Sequence, residues 1–171
     1  MIPSQMKDFS QSLAAVGLFA SNILFWQESN YFAPAAEEMP LLHTWSLAVE
    51  EQYYLLFPIF LILTWRFGKS TVFKLIVVMA AISFLLSEWG WRNTIVANFY
   101  LAPTRAWELL AGSIAAFIVQ KQGVKKSNTL ALLGLSAIIF SILFYDETIP
   151  SPSVYALLPV LGAVLLVLYA D

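Results

Sequence analysis

Six stretches of mostly apolar residues dominate this sequence, and they restrict the folds that the chain can adopt. An α-helix needs about 20 mostly apolar residues to cross about 30 Å of membrane hydrocarbon, and each stretch comes near that length. Of the 171 residues, 60% are hydrophobic and only 12% are charged, against about 25% charged residues in soluble domains. We therefore predict an all-α fold, a polytopic integral membrane helical bundle with about six transmembrane helices. The predicted spans are residues 9–26, 45–65, 71–87, 104–119, 129–145 and 154–169 of a single domain, 1–171.

The charged residues between the spans support this count. Basic residues lie before the first span and after the second and fourth, whereas the loops after the first and fifth spans carry acidic residues only. Because lysine and arginine concentrate in cytoplasmic loops, six spans with both chain ends in the cytoplasm satisfy this rule at every basic loop. The basic residues are Lys7, Arg66, Lys69, Lys74, Lys121, Lys125 and Lys126, and the acidic ones are Glu28, Glu37, Glu38, Asp146 and Glu147.

The residues that the sequence lacks exclude several kinds of function. It has no cysteine, which excludes disulfides and thiolate chemistry. It has no basic cluster long enough to indicate nucleic-acid binding, and we predict no metal site. Residues 1–10 lack the basic segment, short apolar run and cleavage site of a signal peptide, so we expect the first span to direct membrane insertion.

The second span begins with one histidine and two adjacent carboxylates, His43, Glu50 and Glu51. On an exposed helix of a soluble protein, such glutamates would most simply be partners of the helix dipole. A charged residue at the centre of a membrane helix costs about 2.5–3.5 kcal/mol on insertion scales, so an ionisable residue in a span indicates a functional site. A carboxylate placed there can orient an imidazole or, in a low dielectric, hold a proton near neutral pH.

The spacing of this segment predicts which side chains lie together. We expect the Thr44 hydroxyl to cap the helix. At 3.6 residues per turn, one helix face then carries His43, Leu47, Glu50 and Tyr54. Ser46 lies one turn before Glu50, whereas Glu51 points about 100° away. We expect one carboxylate to face a cavity and the other to pair with a cation of another helix.

A second charged group, Arg105 and Glu108, opens the fourth span. Because the loops alternate in charge, this span also begins on the outer side, at the level of Glu50 and Glu51. Arg105 can pair with Glu108 three residues later, with one of the glutamates of the second span, or with an anionic group of a ligand. We expect Trp107 to pack or to mark the membrane interface.

The remaining predictions concern helix packing. We expect Pro58 to kink the second span, since proline lacks the N–H that an inner helical turn needs. Buried asparagines more often join membrane helices by hydrogen bonds than bind ligands, and we expect this of Asn22 and Asn98. We expect close helix packing at Gly112, Gly134 and Gly162.

Residues 41–54 read Leu-Leu-His-Thr-Trp-Ser-Leu-Ala-Val-Glu-Glu-Gln-Tyr-Tyr and resemble the signature segment of the acyltransferase-3 family of bacterial membrane O-acyltransferases. Residues 21–26, 31–32 and 105–112 resemble that family as well. The resemblance implies transfer of an acyl group, usually acetyl, from acyl-CoA such as cytoplasmic acetyl-CoA, with no bound cofactor. The implied acceptor is a hydroxyl of a cell-surface polysaccharide or glycolipid, such as peptidoglycan or lipopolysaccharide. It also implies a multi-pass protein of the bacterial inner membrane, with the donor, the saccharide and the lipid bilayer as partners.

The resemblance also implies roles for the polar residues of the two charged groups. It implies that Glu50, Glu51 and His43 are catalytic, with a glutamate orienting the base or a cationic partner. Arg105 would neutralise developing charge or hold a phosphate of the donor. The other implied substrate-binding residues are Glu108, Ser46, Trp45 and Tyr54.

One departure from the family pattern qualifies these roles. The family's essential arginine and histidine lie ten residues apart in a first membrane helix, and this sequence contains no such pair, since its only histidine is His43. We therefore expect this sequence to be the central part of a longer domain, with the missing helices of that domain as a further partner. We expect the chain to lack activity by itself.

Two other functions remain as alternatives. A proton- or ion-coupled transporter module would use the carboxylates to carry cations, and it predicts Gly/Pro-broken helices in corresponding halves, which we do not find. A non-catalytic structural membrane fragment would use its polar groups only to join helices. It predicts that Glu50, Glu51 and Arg105 pair fully and leave no pocket between them.

Overall fold

The computed structural model describes residues 3–31, 41–123, 125–146 and 149–170. Within these ranges the chain forms α-helices joined by short turns and contains no strand, which confirms the all-α prediction. Glu37, Glu38, Glu147 and Phe32 lie outside the described residues. The helices are α1 (Pro3–Gly17), α2 (Ser21–Tyr31), α3 (Thr44–Thr64), α4 (Lys69–Asn93), α5 (Ile95–Tyr100), α6 (Ala102–Gln122), α7 (Asn128–Phe144) and α8 (Leu157–Tyr169), with single 3-10 turns at Trp65–Phe67 and Val154–Ala156.

Two helical segments are long and apolar enough to cross a membrane. They are Thr44–Phe67, with a mean hydropathy of 1.3, and Lys69–Asn93, with a mean hydropathy of 2.1. Only 11% and 22% of their most apolar windows are buried inside the protein, so neither is an enclosed core helix. These segments correspond to the second and third predicted spans. The apolar helical segments Asn128–Phe144 and Val154–Tyr169 are shorter.

The first predicted span, residues 9–26, is not one helix, and this corrects the prediction. α1 ends at Gly17, and Phe19 adopts the left-handed conformation with φ 55°. The Ala20 N–H donates to the Ala15 carbonyl at 2.8 Å and the Phe19 N–H to the Val16 carbonyl at 3.1 Å. This pair of bonds is a Schellman motif, which satisfies the last carbonyls of a helix. The position normally favours glycine, so the apolar composition concealed the break.

α3 and α4 form a helical hairpin through Gly68, whose φ of 88° permits the reversal. α4 and α6 are antiparallel. At one end the Ser83 hydroxyl of α4 donates to the Pro103 carbonyl of α6 at 2.6 Å, and at the other the Phe73 and Phe117 ring centroids are 6.0 Å apart. Their buried core consists of Val72, Ile76 and Leu110.

α7 and α8 pack closely through two glycines, as predicted for Gly134 and Gly162. A Cβ on Gly134 would lie 2.6 Å from the Gly162 carbonyl oxygen, and one on Gly162 would lie 2.7 Å from the Gly134 oxygen. Among the described residues the prediction for Gly112 is wrong, since a Cβ there would meet none of their atoms within 4 Å. The apolar sequence around each glycine looks the same, and only the helix opposite makes the difference.

Candidate functional site

The start of α3 is held by its own backbone and by α2. Leu41 adopts φ 61°, and its carbonyl accepts the Thr44 hydroxyl at 2.7 Å. The predicted capping role of Thr44 is therefore wrong, because its hydroxyl donates backwards to Leu41 instead of accepting a helix N–H. The Ser21 hydroxyl of α2 donates to the Thr44 carbonyl at 2.9 Å in a buried contact. These bonds fix where the first turn of α3 presents its side chains.

The start of α6 is positioned by the corner between α5 and α6. Leu101 is extended between the two helices. The Thr104 hydroxyl lies 2.8 Å from the Asn98 carbonyl and 2.9 Å from the Leu101 carbonyl, so it can donate to either. Ser83 of α4 donates to the Pro103 carbonyl and accepts the Trp107 N–H at 2.9 Å. The Pro103 carbonyl and the Trp107 N–H are four residues apart, the spacing of a hydrogen bond within an α-helix. The buried Ser83 hydroxyl contacts both of these groups.

Arg105 is held on three sides. Its Nε donates to the Phe99 carbonyl at 2.7 Å. Its guanidinium carbon lies 4.6 Å from the Trp45 ring centroid and 4.9 Å from that of Phe99, which is within the range of cation–π attraction. Its Nη1 lies 3.9 Å from Glu108 Oε2. Of the partners that the sequence left open for Arg105, the structure therefore shows the local one, Glu108.

A pocket of about 140 Å³ lies between the first turns of α3 and α6. Its polar lining comes from Glu50 and Ser46 on α3 and from Arg105 and Glu108 on α6. Trp45, Val49 and Leu109 complete it. In the part of the chain that the structure describes, neither Glu50 nor Glu51 makes a hydrogen bond or an ion pair. The Glu50 carboxylate is thus free to accept hydrogen bonds from hydroxyl groups that enter the pocket.

Five of the eight predicted site residues line this pocket, namely Glu50, Arg105, Glu108, Ser46 and Trp45. The other three do not line it. His43 and Tyr54 are exposed, and Glu51 is half-buried outside it. The structure therefore does not bring His43 or Tyr54 to the pocket with Glu50, although the helical period places them on one face. The expected pairing of one glutamate with a cation from another helix is also absent from the described residues.

Asn22 joins helices, as predicted, whereas Asn98 is bonded to the turn before α8 and not to a helix, which corrects the prediction for Asn98. The Asn22 amide of α2 donates to the Tyr100 carbonyl at 3.1 Å, and its oxygen accepts the Gln52 amide at 2.9 Å. Gln52 also donates to the Phe19 carbonyl at 2.7 Å, so it fastens the break between α1 and α2 to α3. The Asn98 amide donates to the Pro152 carbonyl at 2.9 Å.

A second pocket, of about 240 Å³, adjoins the first and is almost wholly apolar. The two pockets share Val49 and Leu109, and the second continues past Phe57 and Phe60 of α3 and Met79 of α4. Beside it, the Tyr53 hydroxyl and the Ser113 hydroxyl are 2.6 Å apart. The sequence alone did not indicate a role for these residues. The Gln-Tyr pair that follows Glu51 was the available signal, since polar groups inside a span need partners.

α3 continues through Pro58 without a break, so the proline lies inside the helix that carries the site. Proline supplies no N–H to the carbonyl four residues earlier, which is that of Tyr54. Among the described residues, no group of three or more His, Asp or Glu is placed to hold a metal ion.

Comparison with known proteins agrees with the motif at the start of α3. Residues 8–171 match the family described as the acyltransferase domain, type 3, which covers nearly the whole chain. The chain belongs to the acyltransferase-3 family. The resemblance seen in residues 41–54 is thereby confirmed, and it extends over α7 and α8, where the sequence alone indicated only hydrophobic helices.

Relatives of this acyltransferase-3 chain include proteins named O-acetyltransferases. It is 35% identical over 142 residues to an uncharacterised protein of Haemophilus influenzae, covering 74% of this chain and 56% of that one. It is 33% identical over 161 residues to the O-acetyltransferase OatA of Staphylococcus aureus, covering 82% and 24% of the two chains. With the peptidoglycan O-acetyltransferase OatA of Listeria monocytogenes it shares 29% over 126 residues, covering 68% and 20%. The chain thus spans between a fifth and about half of the length of these relatives. No solved structure matches it.

Proposed function

We propose that this chain forms part of an integral-membrane O-acyltransferase that transfers an acetyl group from acetyl-CoA to a hydroxyl of a cell-envelope saccharide. The observation that carries the proposal is the family match over residues 8–171, with the family motif lining a pocket at the start of α3. Two of its relatives are named O-acetyltransferases, and the name of one specifies peptidoglycan.

We further propose that the protein is a multi-pass protein of the bacterial inner membrane. α3 and α4 would cross it, with α6, α7 and α8 as the remaining spans beside them. Arg66, Lys69 and Lys121 then lie at the cytoplasmic side, where basic residues concentrate. The pocket with Glu50 and Arg105 lies at the opposite, outer end, near the saccharide acceptor.

The proposed reaction moves the acetyl group from the sulfur of CoA to an oxygen of the saccharide. The sugar oxygen attacks the thioester carbonyl carbon while a base takes up the hydroxyl proton, and a C–O bond forms. The C–S bond then breaks, and the leaving CoA sulfur takes that proton from the base and departs as the thiol. Glu50 would accept a hydrogen bond from the sugar and orient it. Arg105 would stabilise the negative charge that develops on the carbonyl oxygen. The base itself is not assigned to a residue of this chain.

The pocket supports this proposal over a purely structural membrane fragment. A structural fragment predicts that Glu50, Glu51 and Arg105 pair with one another and leave no space. Instead Arg105 pairs with Glu108 on its own helix, and Glu50 faces a pocket of about 140 Å³. No feature of the described residues favours the transporter alternative.

Substitution of the two glutamates in the full-length protein tests the proposal. Cells that lack the gene are complemented with the wild type, Glu50→Gln or Glu51→Gln, and acetate released from envelope saccharides by mild base is measured. We expect Glu50→Gln to lower the released acetate at least ~10-fold, since a hydrogen bond to a charged group contributes about 1.5–3 kcal/mol. Glu51→Gln, outside the pocket, should stay within about threefold of wild type. Undiminished acetate in both variants would remove the carboxylates from the mechanism, and no acetate with the wild type would overturn the function.

A further inference from the structure

A third pocket, of about 550 Å³, lies between α4 and α6 at the end of the pair opposite Arg105. Lys69 and Ser70 from the start of α4 line it on one side, and Lys121 from the end of α6 lines it on the other. Since α6 rises about 1.5 Å per residue, Arg105 and Lys121 are about 24 Å apart along its axis. This inner pocket is therefore separate from the candidate site described above.

The charges around the inner pocket favour an anion. Its lining within the described residues includes two lysines and no aspartate or glutamate. Neither lysine has an ion pair in the described part of the chain, and Lys69 Nζ lies 5.7 Å from the Trp65 ring centroid. α4 also begins here, and its first N–H groups carry partial positive charge with no side chain capping them. The last turn of α6 borders the same space with partial negative charge on its carbonyls, so the preference for an anion rests on the two lysines.

The floor of the inner pocket is apolar. Phe73 and Phe117 line it, and their ring centroids are 6.0 Å apart. A small hydrated anion such as free phosphate would leave this aromatic surface uncovered. A ligand that combines an anionic group with an apolar or aromatic part would cover it, since such surface is stabilised by removal from water.

We propose that the inner pocket binds a phosphate ester, with the phosphate between Lys69 and Lys121 and the attached apolar group on Phe73 and Phe117. Two kinds of phosphate ester are present at the cytoplasmic end of a membrane protein. One is the acyl-CoA donor, and this source rests on the proposed function. The other is an anionic phospholipid, since basic pockets between membrane helices hold lipid head groups.

The experiment uses the purified full-length protein in phosphatidylcholine nanodiscs and compares two double variants. Lys69→Gln with Lys121→Gln removes the lysines of the pocket. Lys74→Gln with Lys125→Gln removes the same charge from exposed positions near the same end that do not line it. CoA binding is measured by calorimetry, and lipid binding by native mass spectrometry after phosphatidylglycerol is added. We expect the pocket variant to weaken binding of one of these ligands at least ~10-fold and the control less than twofold.

A third variant, Ser70→Trp, fills the pocket while keeping both lysines. We expect it to lose the same ligand, which general attraction between basic residues and phosphate cannot explain. Loss of CoA binding identifies the donor as the ligand, and loss of phosphatidylglycerol alone identifies a lipid site. Equal weakening in the two double variants, or tight binding in Ser70→Trp, would overturn the inference. If the pocket variant still acetylates saccharide with an unchanged KM for acetyl-CoA, the donor is not the ligand of the inner pocket. The proposed function would remain intact.

Discussion

The guanidinium carbon of Arg105 lies 4.6 Å from the ring centroid of Trp45, so the first turn of α6 is tied to the first turn of α3. Both residues line the pocket that contains Glu50. The contact is reinforced by the bond from Arg105 Nε to the Phe99 carbonyl. The geometry of the candidate site therefore depends on one planar cation that stacks and donates at the same time.

Replacement of Arg105 by lysine tests whether this geometry is needed. Lysine keeps the charge but has neither a planar group to stack on Trp45 nor an Nε to reach the Phe99 carbonyl. We expect Arg105→Lys to lower acyl transfer at least ~10-fold, since a hydrogen bond from a charged group contributes about 1.5–3 kcal/mol. The measurement is acetate released from envelope saccharides.

Arg92 provides the matched control for Arg105→Lys. Its guanidinium carbon lies 4.8 Å from the Trp91 ring centroid, and its Nη2 lies 3.0 Å from Glu88 Oε2, but its side chain is 57% exposed and outside the pocket. We expect Arg92→Lys to remain within about twofold of wild type, because exposed ion pairs contribute little. Similar losses in the two variants would mean that the stacked arginine matters for general stability and not for the site.

Ser83 is predicted to hold the start of α6 in place. The residue is 5% exposed, and its hydroxyl contacts both the Pro103 carbonyl and the Trp107 N–H. We expect Ser83→Ala to reduce stability by about 1–3 kcal/mol, because a buried polar group loses its partner. Thermal unfolding in detergent measures this change. Ser136 is the control, since its exposed hydroxyl bonds only to Leu132 of its own helix, and Ser136→Ala should be nearly neutral.

Alanine substitutions at two glycines test whether a glycine is needed for close helix packing. We expect Gly134→Ala to destabilise the protein by about 1–3 kcal/mol, since its Cβ would overlap the Gly162 backbone and force α7 and α8 apart. Gly112→Ala should be neutral or stabilising by up to about 1 kcal/mol, because its Cβ meets no atom of the described residues within 4 Å and alanine favours helix. Equal melting temperatures for the two variants would contradict the close approach of α7 and α8.

At the break between α1 and α2, a substitution to glycine should relieve strain in the backbone. Phe19 at φ 55° is strained by about 1–2 kcal/mol, which glycine would not be. We therefore expect Phe19→Gly to be more stable than Leu18→Gly by about that amount, although both remove an exposed apolar side chain. Chemical or thermal unfolding of the two variants measures the difference. If both variants lose the same stability, the left-handed turn at Phe19 is absent from the protein.

Several features of the protein followed from the sequence because they depend on local composition. The apolar runs that form α3 and α4 were visible as length and hydropathy, which are the properties that a bilayer selects. The motif at residues 41–54 identified the family. The role of Asn22 also followed, since an amide buried among apolar residues needs a partner on a neighbouring helix. Asn98 also found a partner, but in the turn at Pro152 and not on a helix.

Other features were not visible because they depend on residues distant in the chain. The break at Phe19 lies in an apolar run whose glycine stands two positions before the left-handed residue. The Gln52 amide of α3, 33 positions away, donates a hydrogen bond to the Phe19 carbonyl at this break. The outward position of His43 and Tyr54 was likewise hidden, since a 3.6-residue period orders side chains around a helix but does not say which helix lies opposite.

Local sequence was enough to predict that this chain forms apolar helices, that polar residues lie at the start of two of them, and that it belongs to one family of acyltransferases. The tertiary structure decided which of those residues meet. Glu50 faces a pocket and Glu51 does not. Arg105 is held by Trp45, Phe99 and Glu108, and it pairs with neither Glu50 nor Glu51. The physical reason is that hydropathy and helical period act within one segment, whereas a pocket forms only where side chains of α3 and α6 approach each other in space.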